Sequence, residues 1–488
     1  MKPVMLTALL TATMSVATTG FADWPQWRGP DRNGFVDSGP LVESLPSEGL
    51  APQWKVGPFE GGNSGGWSSP TIADGRVYLY SHTKTKNPDA DSLGPAQYPW
   101  LSPDKRTGMT DAQYEQYEVK RRDESERRAK AYSYNERLLC VDLDSGDVVW
   151  DRTRPSRYTR FTQSGTPCVA AGRVFVLGAE RTAWCYDATT GEELWSRRLP
   201  GDFRDEHFSS SFAVAGEVAV VCCGALTALS VDQGEVLWQA EESLDFASHS
   251  SPTVWRAGDE SVAIVNARGG MTKGYRLRDG GKLWEVETGA GQSTPIVAGD
   301  LLLTYGSSRK SGLSAYQLSA DAVDRAPQLQ WQFQRAADSG STPVVRGEAV
   351  FVQGDKRLAK VDLLTGKSVW QSTMRISNPR YTSLVAAGDQ VFYGWEGLLC
   401  FDAEADRYEP FYDAEVDSEG RLIEGEDLRA KLKLQQLTAD GDGLARAEEI
   451  WQANAIRSGP LGCSTPAISE GRIVIRLRNA VVCYDLRR

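Results

Sequence analysis

The sequence predicts an all-β protein, an eight-bladed β-propeller, on three observations. A phrase of the type Gly-x-x-x-Trp recurs at Gly146/Trp150, Gly191/Trp195, Gly234/Trp238, Gly280/Trp284 and Gly366/Trp370. A second phrase, built on Ser/Thr-Pro before a Gly-containing turn, recurs eight times, beginning at Ser68, Gly165, Ser210, Ser250, Ser293, Ser341, Thr382 and Ser464. The Pro or equivalent positions lie 40 to 48 residues apart except across two longer gaps. A period of about 42 residues holding four short strands is the signature of a propeller blade.

Each unit reads in the same order. Strand A follows the Ser/Thr-Pro pair, strand B alternates apolar residues, strand C ends near an Asp, and strand D closes on Trp. The intervening Asp-x-x-Thr-Gly turn has a physical cause: the Asp carboxylate holds turn amides, and Gly adopts the positive φ that other residues resist. Trp offers a large flat surface for packing between units. The chain stops after "VVCYDLRR" without a Trp of its own, so Trp54 of "APQWKV" is expected to supply strand D of the last blade. The opening "DWPQWRGPDRNG" is then part of the closing seam. The composition agrees, with 15 Trp, 47 Gly and 23 Pro in 488 residues.

A formal charge of −11 argues against nucleic acid or an anionic membrane as partner. Residues 1–22 read as a secretory signal peptide, with Lys2, an apolar run from Val4 to Ala17, and small residues at Gly20 and Ala22. No later stretch approaches the ~20 apolar residues of a membrane span. An exported monomer, periplasmic or secreted, is expected for residues 23–488. Export permits disulfides. Of the eight cysteines, Cys140, Cys185, Cys400 and Cys483 fall at one place in the repeat, which other copies fill with small residues of the Ala359 type. They read as small buried hydrophobes.

The two long gaps are insertions. Residues 83–136, between strands B and C of blade 1, include a charged helix from Thr110 with an N-cap candidate. Residues 403–449 are expected between strands C and D of blade 7, with Trp451 resuming the blade. Two stretches there resemble EF-hand loops. One carries Glu415, Asp417, Glu419 and Glu426, and the other Asp440, Asp442 and Glu449. Alternating oxygen donors, Gly at the sixth position and Glu at the twelfth suit Ca2+. Glu415 and Thr438 replace the usual first Asp, and Ala445 replaces a branched residue at the eighth position. Strand alternation places D–A and B–C connections on one face, so the charged helix is expected on that face and the EF-hand-like pair on the other.

The D–A connections carry Arg157, Arg160, Arg204, Arg335, Arg375, Arg380 and Arg457, with Glu206, His207 and His249, and strand B of blade 3 ends there at Cys222-Cys223. Guanidinium forks suit carboxylates and phosphates. Arg160, Arg204, His207, Cys222, Cys223, His249 and Arg380 are therefore the ligand-face candidates, for a small anionic ligand or an acidic protein segment. No Ser-His-Asp elbow, HExxH, CxxC or phosphate-cradling loop is present, so no catalytic residue is assigned.

The pattern Asp-x-x-[Ser/Thr]-Gly-x-x-x-Trp resembles the tryptophan-docking repeat of the quinoprotein (PQQ-type) propellers. With its "WPQWRGPDRNG" opening, the chain looks like exported bacterial PQQ-binding-like β-propeller repeat proteins over essentially all of residues 24–488, apart from the insertions. The resemblance implies the fold and leaves function open. In quinoprotein dehydrogenases a vicinal disulfide packs against the quinone, so Cys222-Cys223 raises the alternative of a PQQ-dependent dehydrogenase. Such enzymes also need a calcium site and a catalytic Asp in the channel, and neither motif is matched here. PQQ is therefore not expected. The outer-membrane assembly lipoprotein that uses a similar propeller is a more distant analogy, because no Cys lies at the expected cleavage point. A non-catalytic binding or scaffolding protein is the function these observations favour.

Overall fold

A computed structural model describes residues 23–88, 90, 92–244, 249–374, 381–438 and 443–488. The signal-peptide segment, Arg375, Arg380, Asp440 and Asp442 lie outside the described residues. Among those described, one six-stranded and seven four-stranded sheets form eight blades. Blade 1 comprises strands Thr71–Ala73, Arg76–Lys86, Tyr132–Asp142 and Val148–Pro155. Blade 8 takes Ala467–Ser469, Arg472–Arg476 and Val481–Asp485 from the C-terminal end and Trp54–Val56 from the N-terminal end, with Trp54 opposite Cys483. The ring therefore closes as expected.

The two repeated phrases turn out to be two sets of inter-blade joints. On the outside, the indole N–H of the strand-D Trp donates to a carbonyl of the next blade at every such Trp except Trp284. Trp54 reaches Leu143 at 2.8 Å, Trp150 reaches Ala188 at 3.1 Å and Trp195 reaches Val231 at 3.0 Å. The ring lies on the Gly of that blade's turn. Gly146 has φ 75°, and a Cβ there would sit 2.6 Å from Trp54. The Asp of the turn does its part: Asp142 Oδ1 accepts from the Asp144 and Ser145 amides. Inside, the Ser or Thr before each Pro links the strand-A starts. The Thr465 amide donates to Ser69, Ser69 to Thr166, Thr166 to Ser211, and Ser211 to Ser251, at 2.9–3.1 Å. Thr294 and Thr342 continue the pattern to Thr342 and Ser383.

Three assignments change. Blade 5 does carry a docking residue, Trp331, which bonds Leu363 at 2.9 Å without the Gly-x-x-x spacing. Blade 7 takes Pro410–Val416 as strand D, with Tyr412 where other blades have Trp, and Trp451 ends a helix instead. Its insertion thus follows strand D and runs into blade 8, which moves it to the D–A face. Arg478, in the B–C turn of blade 8, donates to Ile456 there at 3.1 Å. The insertion holds a short strand, Leu422–Glu424, then helices Gly425–Lys431, Leu434–Thr438 and Gly443–Trp451, packed about Ile423, Leu428, Leu434, Ala447 and Trp451. The repeat cysteines lie directly opposite the docking aromatic, as Cys140 does to Trp150. The same place is Ala228, Gly274, Ala315 and Lys360 elsewhere, so Ala359 is one residue out of register.

The opening segment does more than close a seam. It crosses the channel on the A–B face, with Trp24 bridging Ile72, Pro25 accepting from Val169 and Asn33 from Val345. Phe35–Val36 adds a parallel strand to blade 7. Arg28 and Arg32, both buried, donate to the carbonyls of Leu384, Pro343, Pro252 and Phe212, each the residue just before a strand A.

Candidate functional site

The D–A end of the channel remains hollow. Trp27 forms the floor, its indole held by Thr294 Oγ1 at 3.0 Å, and the cavity above measures about 460 Å3. Its lower wall is the hydroxyl ring of the joints just described: Thr166, Ser211 and Ser251 all line it. Higher up stand Trp67, Trp100, Phe161 and Tyr381, together with His207 and His249. Neighbouring rings meet at an angle. Phe161 and His207 lie 4.9 Å apart at 69°, His207 and His249 5.4 Å at 59°, and His249 and Tyr381 6.3 Å at 47°.

The blade 1 insertion covers one side of this mouth. Strands B and C of that blade extend as long arms to Lys86 and from Tyr132, and between them helix α1 spans Asp111–Ala129. Thr110 caps α1 in a reciprocal arrangement with Gln113, the expected start. Glu124 then accepts from the amides of Gln97 and Tyr98 at 2.8 and 2.7 Å, and the Tyr117 hydroxyl donates to Pro99 at 2.7 Å. These bonds hold the preceding loop so that Trp100 stands at the rim, 63% exposed.

The arginines behave differently from the sequence expectation. Asp205, its side chain fully buried, is shared by Arg122 of α1 and by Arg160, the latter at 3.3 Å. Arg204 pairs with Asp123 and Glu126 of α1 at 2.6 and 2.5 Å, and Arg157 with Glu180 at 2.8 Å. Arg121, the other arginine lining the cavity, pairs with Glu118 at 2.7 Å. These guanidiniums dock a helix and hold loops. The Arg122 and Arg160 guanidiniums keep the Asp205 carboxyl below the usual carboxylate range despite its burial. Burial, then His249 and Arg160, pulls His207 down to about 3, so it is neutral at physiological pH. His82, buried behind the cavity wall, accepts the Gln163 amide on Nδ1 at 3.0 Å, and burial brings it to about 4.

Of the remaining candidates, Cys222 and Cys223 are not joined by a disulfide. As neighbours in a strand they point to opposite faces. Cys222 packs with the blade 3–4 cluster and Cys223 with the blade 2–3 cluster, where Arg181 donates to its carbonyl at 2.7 Å. The first EF-hand-like stretch forms a hairpin loop. Val416 pairs with Leu422 across it, and Asp417 accepts from the Glu419 and Arg421 amides and from Lys431 at 3.0 Å. Glu415 stays in strand D, Glu419 turns to Arg421, and Glu426 and Glu449 are exposed. Among the described residues no group of three or more His, Cys, Asp or Glu is placed to hold a metal. The aromatic collar was missed by sequence reasoning. Its members lie in connections, where the repeat period carries no signal.

Fold and joints together define a PQQ-like repeat β-propeller protein. The family model described as outer membrane protein assembly factor BamB matches residues 134–372 and 278–407, more than half of the chain, and the chain belongs to that family. The outer membrane protein assembly factor BamB of Shewanella oneidensis is 24% identical over 260 residues. That match covers 46% of this chain and 60% of the relative's length. Among solved structures, a europium-containing methanol dehydrogenase matches with a TM-score of 0.54 at 11% identity, covering 95% of this chain and 98% of its own. A quinohemoprotein alcohol dehydrogenase from Comamonas testosteroni also gives 0.54, at 10% identity, with 95% and 80% covered. Likeness at that level is one of fold. Among the described residues no helix is long and apolar enough to cross a membrane.

Proposed function

We propose that this chain is an exported, non-catalytic β-propeller that binds or scaffolds a partner through its D–A face. One observation carries the reading. The channel is crossed on one face by the N-terminal segment and opens on the other into an aromatic cavity whose described charged groups are already committed to protein partners. A catalytic centre needs an acid, base or nucleophile within reach of the substrate. Here Asp205 is fixed between two arginines, and burial brings His207 to about 3 and so makes it a weak base. Burial pushes the thiol of Cys463, which lines the cavity, up to about 12. Membership of a family named for an assembly factor supports partner binding, and the apolar run from Val4 to Ala17 supports export. The paired arginines do not favour the anionic ligand expected from sequence.

The decisive test is titration of the protein with PQQ, with and without calcium, followed by assay of an artificial electron acceptor with methanol, ethanol or glucose. Neither saturable PQQ binding nor dye reduction is expected. Dye reduction that depends on PQQ would make the chain a quinoprotein dehydrogenase and end the scaffold reading.

A further inference from the structure

The cavity has a ligand chemistry of its own. Resting on the proposal that the D–A face binds, we infer that the aromatic cavity is a site for a neutral saccharide, taken end-on. Three independent features lead there.

The first is the hydroxyl arc. Thr166, Ser211 and Ser251, from blades 2, 3 and 4, are almost wholly buried and line the cavity. Each hydroxyl oxygen already accepts an amide of the preceding blade, from Ser69, Thr166 and Ser211 in turn. A hydroxyl that accepts keeps its own proton to donate. Three successive blades thus each present a hydroxyl donor, which a polyol satisfies with its ring hydroxyls and an aliphatic ligand would leave desolvated.

The second is the tilt of the rings. A flat heteroaromatic guest sandwiched on both faces needs two near-parallel walls. The rings on this wall stand 47–69° apart, and so form a collar rather than a slot. A pyranose suits a collar: its C–H faces are apolar and meet the electron-rich faces of Trp and Phe, while its polar edge turns to the hydroxyls. Phe161 and Trp100, 50% and 63% exposed, are the surfaces left uncovered for it.

The third is charge and shape. The two arginines among the described lining residues are paired, Arg121 with Glu118 and Arg160 with Asp205. A carboxylated ligand would have to break those pairs or go unmatched. Trp27 closes the floor, so a chain end or a short sugar fits and the middle of a polymer does not. About 460 Å3 falls within the usual range for small-molecule sites, about 300–1,000 Å3.

The test is calorimetric titration of the whole protein with cellobiose, maltose and diacetylchitobiose, with tryptophan fluorescence as a second readout. At least one should bind saturably with a Kd of about 1 mM or tighter. Trp100→Ala and Phe161→Ala should each weaken that binding about tenfold without changing the melting temperature, because both side chains are exposed. Trp100→Phe should restore most of it. Equal affinity for a disaccharide and its longer oligomer identifies a glycan end, and binding confined to the disaccharide a free sugar. Either supports the site. Absence of saturable binding by all three sugars sinks the inference, as does tighter binding of glucuronic acid or PQQ than of any neutral sugar. A failure without dye reduction removes the saccharide alone and leaves the scaffold reading standing. Dye reduction removes both.

Discussion

The two ends of the channel use arginine in opposite ways. At the closed end, Arg28 and Arg32 are wholly buried without a carboxylate and donate instead to the carbonyls of four different blades. Burial draws their pKa values down to about 9 and about 10, which still leaves both charged at neutral pH. At the open end, Arg122, Arg160 and Arg204 are partly exposed and pair with carboxylates, fastening α1 over the mouth. A buried guanidinium on backbone carbonyls is a fixed structural pin, because removing it strands several acceptors at once. An exposed ion pair such as Arg204 with Asp123 contributes little to stability and is easily exchanged, while the buried Asp205 anchors the same helix more firmly. The closed end is therefore built to stay, and the open end to be approached.

The sharpest way to break that contrast is Arg28→Met, which keeps bulk and deletes the donors to Leu384 and Pro343. It should lower unfolding free energy by about 4 kcal/mol in a denaturant titration. A loss below about 1 kcal/mol would mean that the segment merely rests on the channel. Next in size is Gly146→Ala at the ring-closing joint. Positive φ and the clash with Trp54 should together cost about 3 kcal/mol. Gly75→Ala is the control: φ is 69° but nothing lies within 4 Å, so only the backbone term of about 1–2 kcal/mol remains.

The open end should be the one that responds to acid. His82 and His207 are held neutral by burial, with values of about 4 and about 3 against an ordinary 6.5. The unfolded chain takes up these protons first, so their contribution is complete above pH 6.5 and is lost as pH falls toward those values. Between neutrality and pH 5 each removes about 2 kcal/mol. His82→Asn should flatten the acid limb of a pH–stability profile by about that amount. An unchanged limb would show that His82 titrates normally in the fold.

Much of the closed architecture was legible because it repeats. Gly-x-x-x-Trp and Ser/Thr-Pro recur because every joint poses the same steric and hydrogen-bonding problem. Where a blade solves it differently the reading slipped: Trp331 lacks the Gly spacing, and Tyr412 holds the strand-D position that Trp451 seemed placed to fill. The site was far less legible. Arg122 and Asp205 are 83 positions apart, and the collar gathers Trp67, Trp100, Phe161 and Tyr381 from separate connections. A periodic sequence encodes strands, whereas a site at the end of a propeller is assembled from what interrupts them. Arginines counted without their partners looked like a ligand face. Asp123 and Glu126 lie on the blade 1 insertion and Asp205 and Glu180 in other connections, and no local pattern announces these pairings.

The smallest expected effect tests α1 itself. Arg204 holds Asp123 and Glu126 at the surface, whereas the Asp205 cluster holds the same helix from a buried position. Arg204→Gln should change unfolding free energy by less than about 1 kcal/mol, since an exposed pair gains little in water and is screened by salt. Its effect should be local: faster amide exchange along α1 and stronger quenching of Trp100 by iodide, both reproduced in the parent protein by high salt. The exchange of the blade strands should not move. If it does, α1 is a brace of the ring rather than a cover on its mouth, and the open end is as fixed as the closed one.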